Sequence, residues 1–269
     1  MTNDPAFTDR QRAMWDRTAQ TYVDEIDRRF APVIDHVIEL AHLQPGERVL
    51  DLGTGTGSVA MRAAALVAPG GSVTGIDLSP GMLLQAEARA EAAGVAGIHF
   101  REGSATAIPA ADASADVLTA SLCMMFVPDR ATAAQECARV LRPGGRFVAA
   151  VWGGPDVCDL NLLLGFAARF SARPPMPGVG GASLADPAPF MEQLAVAGID
   201  TRVDACQSDF EMEDFETAWR IFGHVVAAGI PDDRIDEAKA AVCAEMWPIP
   251  TAPRLFANTA LFVTGTRRA

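Results

Sequence analysis

The feature that most constrains the fold of this chain is a glycine-rich turn directly after a run of apolar residues, in the stretch VLDLGTGTGSVA at 49–60. Asp51 lies near the end of the run, and the turn that follows holds Gly53, Thr54, Gly55 and Gly57. Glycine adopts a positive φ at little cost and lets the backbone approach a ligand closely. A helix that begins near Gly57 would point its free N–H groups toward that ligand. The stretch therefore predicts a buried strand, a ligand-binding turn and a helix, in that order.

Short apolar runs alternate with alanine-rich helical segments through the first part of the chain. The predicted strands cover 47–53, 72–78, 97–103, 115–122 and 145–152. The helices predicted between them cover 57–68, 80–93 and 129–141, and two further helices, 8–29 and 31–43, come first. Nearly continuous apolar strands are typical of a parallel sheet that is buried on both faces. The alternation predicts an α/β fold with a doubly wound, mostly parallel sheet.

The alternation ends after Trp152, where a proline- and glycine-rich segment begins. Later patterns predict a helix at 188–197, a strand at 201–210, a helical stretch at 213–245 and a strand at 258–268. The expected division is 1–152 for the N-terminal helices and the ligand-binding half of the core, 153–185 for a lid insertion, 186–212 for a core helix and strand, 213–247 for a helical lid insertion, and 248–269 for the last core strand.

Composition and charge exclude several classes of partner. The chain has 22 Lys and Arg against 34 Asp and Glu, for a net charge of −12, so binding to nucleic acid or to an anionic membrane is not expected. The N-terminus lacks the apolar region of a signal peptide, and no apolar run reaches the ~20 residues of a membrane span. The five cysteines are scattered without a C-x-x-C pair, which favours a reducing, cytoplasmic setting and argues against a metal site.

The spacing of the turn and two acidic residues indicate what the ligand is. The glycines follow a G-x-G-x-G pattern, and Ser58 stands where a dinucleotide-binding turn has its third glycine. Asp51 suits an ammonium group better than a pyrophosphate. Asp77 ends the second predicted strand, where a carboxylate can accept hydrogen bonds from both ribose hydroxyls. A nucleoside that carries positive charge is implied, and S-adenosylmethionine has these parts. The alternatives are that Asp51 caps the next turn and that Asp77 caps the helix that follows it.

Successive segments of the chain resemble the motifs of class I S-adenosylmethionine-dependent methyltransferases. The segments are VLDLGTGTG, GIDLSPGML, ADVLTASLCMMFVPD and ECARVLRPGGRFVAAVW. They are similar to the branch that includes the ubiquinone/menaquinone-biosynthesis enzymes and many small-molecule methyltransferases of bacterial secondary metabolism. The resemblance covers about residues 12–152. It implies a seven-stranded sheet with an antiparallel last strand, and S-adenosylmethionine as the cofactor.

The resemblance also implies roles for individual residues. The turn Gly53–Gly57 would lie against the methionine part of the cofactor, with Asp51 acting near the ammonium through a polar network. Asp77 would bind the ribose, and Leu78 and Met82 would pack on the adenine.

Three further positions follow from the same resemblance. Tyr22, in WDRTAQTY, would lie near the cofactor carboxylate, and Ser121 would face the transfer site. Many relatives have Gly-Asp-Ala where this chain has Gly103, Ser104 and Ala105. A hydroxyl at Ser104 can still accept a hydrogen bond from the adenine amine, but the charge is lost, so this contact is expected to be weaker.

Apolar side chains predict the substrate class. The candidate substrate-binding residues are Met124, Phe126, Trp152, Phe166, Trp219 and Phe222, which suggest an apolar or aromatic pocket. The alternative is that they fill the core. His224 is the candidate catalytic base, and the alternative is a packed histidine of an apolar helix.

The resulting hypothesis is methyl transfer to a small apolar or aromatic metabolite at O, N or C, mainly by in-line positioning. One alternative is a cofactor-binding enzyme that catalyses a cyclisation, rearrangement or elimination without methyl transfer. A nicotinamide oxidoreductase or a non-catalytic scaffold is the other. The helices ahead of the sheet and the insertions permit a homodimer.

Overall fold

Nine strands build the sheets of the part of the chain that the structure describes. The computed structural model describes residues 5–172, 176–227 and 229–269. Within these ranges the strands are β1 (Arg48–Leu52), β2 (Ser72–Asp77), β3 (Ile98–Glu102), β4 (Ala115–Ser121), β5 (Leu141–Trp152), β6 (Ile199–Gln207), β7 (Phe210–Met212), β8 (Arg254–Phe256) and β9 (Thr259–Arg267). β7 and β8 form a small antiparallel pair, and the other seven strands form one sheet.

The seven-stranded sheet has the order β3-β2-β1-β4-β5-β9-β6. β1 pairs in parallel with β2 and β4, β2 with β3, and β4 with β5. β9 is antiparallel to both of its neighbours, β5 and β6. The predicted seven-stranded, mostly parallel α/β sheet with an antiparallel last strand is confirmed. The strand order reverses between β1 and β4, and open α/β sheets bind their ligands at this reversal.

Helices cover both faces of the sheet and build a cap at one end. In the described ranges the α-helices are α1 (Pro5–Thr21), α2 (Asp27–Ala41), α3 (Ser58–Val67), α4 (Pro80–Ala92), α5 (Arg130–Val140), α6 (Asp159–Ala168), α7 (Ala188–Ala197), α8 (Phe215–Ala227) and α9 (Ile235–Met246). Local sequence explains where α4 begins. The Ser79 side chain accepts a hydrogen bond from the N–H of Met82, and Pro80 is the first residue of the helix. No helix of the described chain is long and apolar enough to cross a bilayer.

The N-terminal helices are interrupted at a different position from the one predicted. The expected break near residue 30 is absent, and α2 continues past Pro32. The change lies instead at Tyr22–Ile26, which forms a single π-helical turn between α1 and α2. π-turns of this kind occur frequently at functional sites.

An aromatic cluster joins α2 to α8, one of the helices of the cap. Phe30 of α2 stacks on Phe222 of α8 at 6.3 Å between ring centroids and contacts Trp152 at the end of β5 at 5.1 Å. Beside it, the buried Arg29 donates hydrogen bonds to the carboxylates of Glu25 and Glu213. The cap is therefore anchored to the same helix that packs on the sheet.

Candidate active site

A cavity lies at the carboxyl ends of β1, β2 and β4, where the strand order reverses. Its floor is formed by the segments that follow these strands, and residues of α1, α2 and the π-turn cover it. The residues that line it from the N-terminal helices are Thr8, Gln11, Trp15, Tyr22, Asp27, Phe30 and Ile34. The cavity is therefore enclosed between the strand ends and the N-terminal helices.

The glycine turn after β1 forms one wall of this cavity. Gly53, Gly55 and Gly57 all have positive φ, at 67°, 53° and 81°. A Cβ at Gly53 would overlap the side chain of Cys123, so glycine is required there by close packing. A Cβ at Gly55 would meet nothing within 4 Å, and this residue lines the cavity. The space beside Gly55 is therefore open to a ligand that contacts the backbone.

Asp51 lies beneath the turn and not in the cavity wall. Its side chain is buried and accepts hydrogen bonds from the hydroxyls of Thr54 at 2.7 Å and Thr119 at 2.8 Å. Burial raises the pKa of this carboxyl to about 6. Because Thr54 lines the cavity, its hydroxyl connects Asp51 to a ligand bound there.

Asp77 ends β2 inside the cavity wall and connects two loops. One carboxylate oxygen accepts a hydrogen bond from the N–H of Gly55 at 2.8 Å, and the other accepts one from the N–H of Ser79 at 2.9 Å. Burial raises its pKa as well. The N-cap residue of α4 is Ser79, so N-capping of this helix does not explain the position of Asp77. Each carboxylate oxygen keeps a further lone pair for a ligand hydroxyl.

Tyr22 is the first residue of the π-turn and lines the cavity between two aromatic rings. The ring centroid of Tyr22 is 6.1 Å from that of Trp15 and 6.3 Å from that of Phe30, and both contacts are edge to face. Burial, reinforced by the negative charges of Asp27 and Asp77, raises the pKa of the phenol above its usual value. Its hydroxyl is therefore a neutral group that can donate a hydrogen bond.

Asp27 lines the cavity and was missed by the sequence reasoning. Its carboxylate accepts hydrogen bonds from the Thr56 hydroxyl and from Nη1 of Arg89, both at 2.6 Å. The same Arg89 nitrogen donates to the carbonyl of Thr56 at 2.7 Å. Asp27 thus ties the N-terminal helices to the glycine turn. The π-turn that presents it has no recognisable sequence signal, and Arg89 lies far away in the chain.

The remaining predicted cofactor residues are brought to the same cavity. Apart from Asp51 and Gly57, the predicted set lines it: Tyr22, Gly53, Thr54, Gly55, Asp77, Leu78, Met82, Ser104, Ala105 and Ser121. Ser104 shares a hydrogen bond with the Thr106 hydroxyl at 2.9 Å. Cys123 is beside Ser121, and burial raises the pKa of its thiol, so it stays protonated.

Only one of the six predicted substrate-binding residues lies in the described lining of the cavity. Phe126 lines the cavity and contacts Trp15 at 5.1 Å. Met124, Trp152 and Phe222 are buried in the core, and Phe166 and Trp219 are partly buried on the cap; none of these five is in the cavity lining of the described chain. His224 belongs to α8, but its side chain lies outside what the structure describes.

The cavity lining has acidic but no basic side chains. Among the described residues it contains the carboxylates of Asp27, which is paired with Arg89 outside the lining, and Asp77, and no histidine, lysine or arginine. The carboxylate of Asp77 favours a ligand that carries positive charge over an anionic one. Together with the open space at Gly55 and the carboxylate at Asp77, this fits a positively charged nucleoside.

Comparison with known proteins agrees with this geometry. Residues 50–149 match a family model described as a methyltransferase domain. Uncharacterized proteins of Mycobacterium tuberculosis and Mycobacterium bovis are 32% identical over 213 residues, 77% of this chain and 72% of theirs. The nocamycin O-methyltransferase of Saccharothrix syringae is 38% identical over 135 residues, 49% of this chain and 48% of that enzyme. A demethylmenaquinone methyltransferase of Geobacillus kaustophilus is 33% identical over 143 residues, 53% of this chain and 61% of that enzyme.

Solved structures share the fold. The YcgJ protein of Bacillus subtilis superimposes with a TM-score of 0.63 at 20% identity, over 88% of this chain and 98% of that one. The [4+2]-cyclase SpnF does so with a TM-score of 0.57 at 23% identity, over 88% and 81%. Its sequence motifs, its sheet and its relatives together show that the chain belongs to the class I S-adenosylmethionine-dependent methyltransferases.

Proposed function

We propose that this enzyme methylates a small apolar or aromatic metabolite that carries no negative charge. The observation that carries the proposal is the composition of the cavity, which joins a nucleoside-binding wall to aromatic and aliphatic side chains and lacks any basic residue in its described lining. Two relatives, by their names, methylate nocamycin and demethylmenaquinone. Both support a role in the methylation of metabolites.

The chain's own residues would hold the cofactor at several points. Asp77 would accept hydrogen bonds from the ribose hydroxyls, and Leu78 and Met82 would contact the adenine. The phenol of Tyr22 would donate a hydrogen bond to the cofactor carboxylate. The negative charge of Asp77 would stabilise the bound cation. When bound, S-adenosylmethionine supplies an electrophilic methyl group.

Positioning and exclusion of water are the contributions that the apolar wall can make. Trp15 and Phe126 present an aromatic surface to the cavity, which favours a flat acceptor. Displacement at a methyl group needs the acceptor in line with the breaking bond, and alignment alone can supply much of the acceleration. An acceptor that must lose a proton would need a base, for which His224 remains our candidate.

We also propose that 153–185 and 213–247 form the lid of this site. The packing of α8 on α6 and α1, and the aromatic contacts between α8 and α2, support this role. The five free cysteines support a reducing compartment, so we expect the enzyme in the cytoplasm.

A reaction without methyl transfer is the weaker candidate. The cyclase SpnF shares the fold, but the named relatives above 30% identity are methyltransferases. The two functions differ in the spent cofactor, because only methyl transfer produces S-adenosylhomocysteine.

Calorimetry with S-adenosylmethionine tests the cofactor site. We expect saturable binding to the wild type and a loss of at least tenfold in affinity for Asp77→Ala, because a charge-assisted pair of hydrogen bonds is removed. Glu192→Ala, an exposed acidic residue of α7 outside the cavity and outside the proposed lid, is the control and should bind normally. Mass spectrometry of reactions with candidate phenols, amines and enols then reveals the acceptor. Equal binding by Asp77→Ala, or turnover without S-adenosylhomocysteine, would contradict the proposal.

A further inference from the structure

β6 is the edge strand at one end of the sheet, and its outer side pairs with no other strand of the described chain. Beyond Ile199 its residues are mostly exposed, with Val203 at 38%, and none of them is proline or lysine. A long exposed edge of this kind is a template for pairing with another strand, and proteins commonly cover or block such edges.

The hydrogen bonds to β9 show which backbone groups of β6 are free. Gly198 accepts from the N–H of Arg268 at 2.8 Å, and Ser208 donates to the carbonyl of Asn258 at 2.7 Å. Both bonds fit the register in which Val203 is opposite Val263. Hydrogen-bonded pairs alternate along an antiparallel ladder, so the even-numbered residues bond to β9. The N–H and C=O groups of Thr201, Val203 and Ala205 therefore point outward.

We infer that β6 pairs antiparallel with β6 of a second copy of this chain, on a two-fold axis through Val203. In this register the two Val203 residues exchange backbone hydrogen bonds, and each Thr201 does so with the partner's Ala205. The pair extends the seven-stranded sheet across the dimer. This proposal concerns a surface remote from the cavity and is independent of the substrate.

Charge complementarity selects this register. Arg202 and Asp204 lie on one face of β6 and pair with each other at 3.6 Å, and their side chains are 73% and 58% exposed, so both remain accessible to a partner strand. With Val203 on the axis, each Arg202 lies directly opposite the Asp204 of the partner, and opposite charges in such pairs are stabilising. Shifting the axis by one residue either way would place Arg202 opposite itself or Asp204 opposite itself.

β3, the strand at the other edge of the sheet, is not complementary in charge to a second copy of itself. An axis through Phe100 of β3 would place His99 opposite Arg101, which gives no attraction. The same axis would place Ile98 opposite Glu102, which gives no attraction either. β6 is therefore the self-complementary edge.

Charge reversal tests the interface by sedimentation velocity and light scattering. The wild type should have twice the 28.4 kDa mass of the chain, and both Arg202→Glu and Asp204→Arg should shift it to monomer. The double swap Arg202→Glu/Asp204→Arg should restore the dimer. Glu91→Arg, an exposed position on α4, controls for net charge and should stay dimeric. An unchanged circular dichroism spectrum and a cooperative thermal transition would show that the variants fold, and the melting temperature of the monomeric variants should be lower than that of the dimer.

A cysteine scan tests the register. In a Cys206→Ser background, Val203→Cys should form an intermolecular disulfide under mild oxidation, because opposed residues of a hydrogen-bonded pair are within reach. Thr201→Cys should not, since the two copies would be offset by about 13 Å along the strand. A monomeric wild type would overturn the proposal and leave the edge to a peptide of another protein. A dimer that survives Arg202→Glu would place the interface elsewhere and would overturn it as well.

Discussion

At the scale of single residues, the two strand-end carboxylates have different environments. Asp77 lines the cavity and binds backbone N–H groups, whereas Asp51 is covered by the turn and binds hydroxyls. Their positions were predictable because the carboxyl ends of parallel strands meet at one edge of the sheet. Asp27 was not predictable, because its placement depends on the π-turn and on Arg89, a partner 62 residues away.

Gly53 and Gly55 are expected to respond differently to alanine. Gly53→Ala adds overlap with Cys123 to the strain of a positive φ, so we expect a loss of about 3 kcal/mol in the free energy of unfolding. Gly55→Ala adds only the strain, about 1 kcal/mol, but its methyl group enters the cavity wall. Urea denaturation and calorimetry measure the two effects. Normal cofactor binding by folded Gly55→Ala would show that the cofactor does not approach this residue.

At the scale of elements, α1 covers the cavity through contacts with the loops beneath it. Gln11 donates to the carbonyl of Phe126 at 2.9 Å, and Arg12 donates to the carbonyl of Leu78 at 3.1 Å. Asp16 accepts from the Ser79 hydroxyl at 2.5 Å and from the N–H of Gly81 at 2.8 Å. A ligand of nucleoside size therefore lies under a helix that is held by a few polar contacts.

Replacing Asp16 by alanine should loosen this helix. We expect a stability loss of only about 1 kcal/mol, because one hydrogen-bonding side chain is removed from the surface. Hydrogen exchange within α1 should become faster, and the cofactor should dissociate faster in stopped-flow experiments. Arg17→Ala, an exposed position on the same helix, is the control. Unchanged exchange in Asp16→Ala would mean that the contacts of Gln11, Arg12 and Trp15 are enough to hold α1.

The elements of the first half were predictable and those of the cap less so. Strands β1, β2 and β4 are largely buried, so their apolar runs are distinct in the sequence. The stretch 213–245 was predicted as one helical segment, but Pro231 precedes a 3₁₀ turn that separates α8 from α9. The β7–β8 pair has three residues per strand, which is too short for a period-2 pattern to show.

At the scale of the whole molecule, the buried carboxyl of Asp51 makes stability depend on pH. Its pKa is raised to about 6 in the folded state from 3.8, so the folded chain binds more protons than the unfolded chain between these values. Its stabilising contribution is complete below the unfolded pKa and is lost as the pH rises through about 6. The full span corresponds to about 3 kcal/mol.

Asp51→Asn should remove this dependence while keeping contacts to both threonines. We expect the variant to gain stability relative to the wild type when the pH is raised from 4 to 7, as measured by urea denaturation. Burial also raises the pKa of Asp77, so a smaller dependence of stability on pH should remain in Asp51→Asn. Parallel curves for the two proteins over this interval would contradict a raised pKa at Asp51.

The π-turn at Tyr22–Ile26 has a consequence for how this family member can change. A π-turn contains one residue more than the α-helix it interrupts, and each residue of an α-helix advances the chain by about 100° around the axis. Deleting a single residue there would yield an unbroken rod whose C-terminal portion still packs on the sheet. Because the wider turn absorbs the extra residue, Trp15 and Gln11 would keep their orientation after the deletion, and the change would fall on the turn itself, where Tyr22 lines the cavity. One inserted residue thus adds a bulge that faces the ligand without rotating either flanking stretch out of its packing.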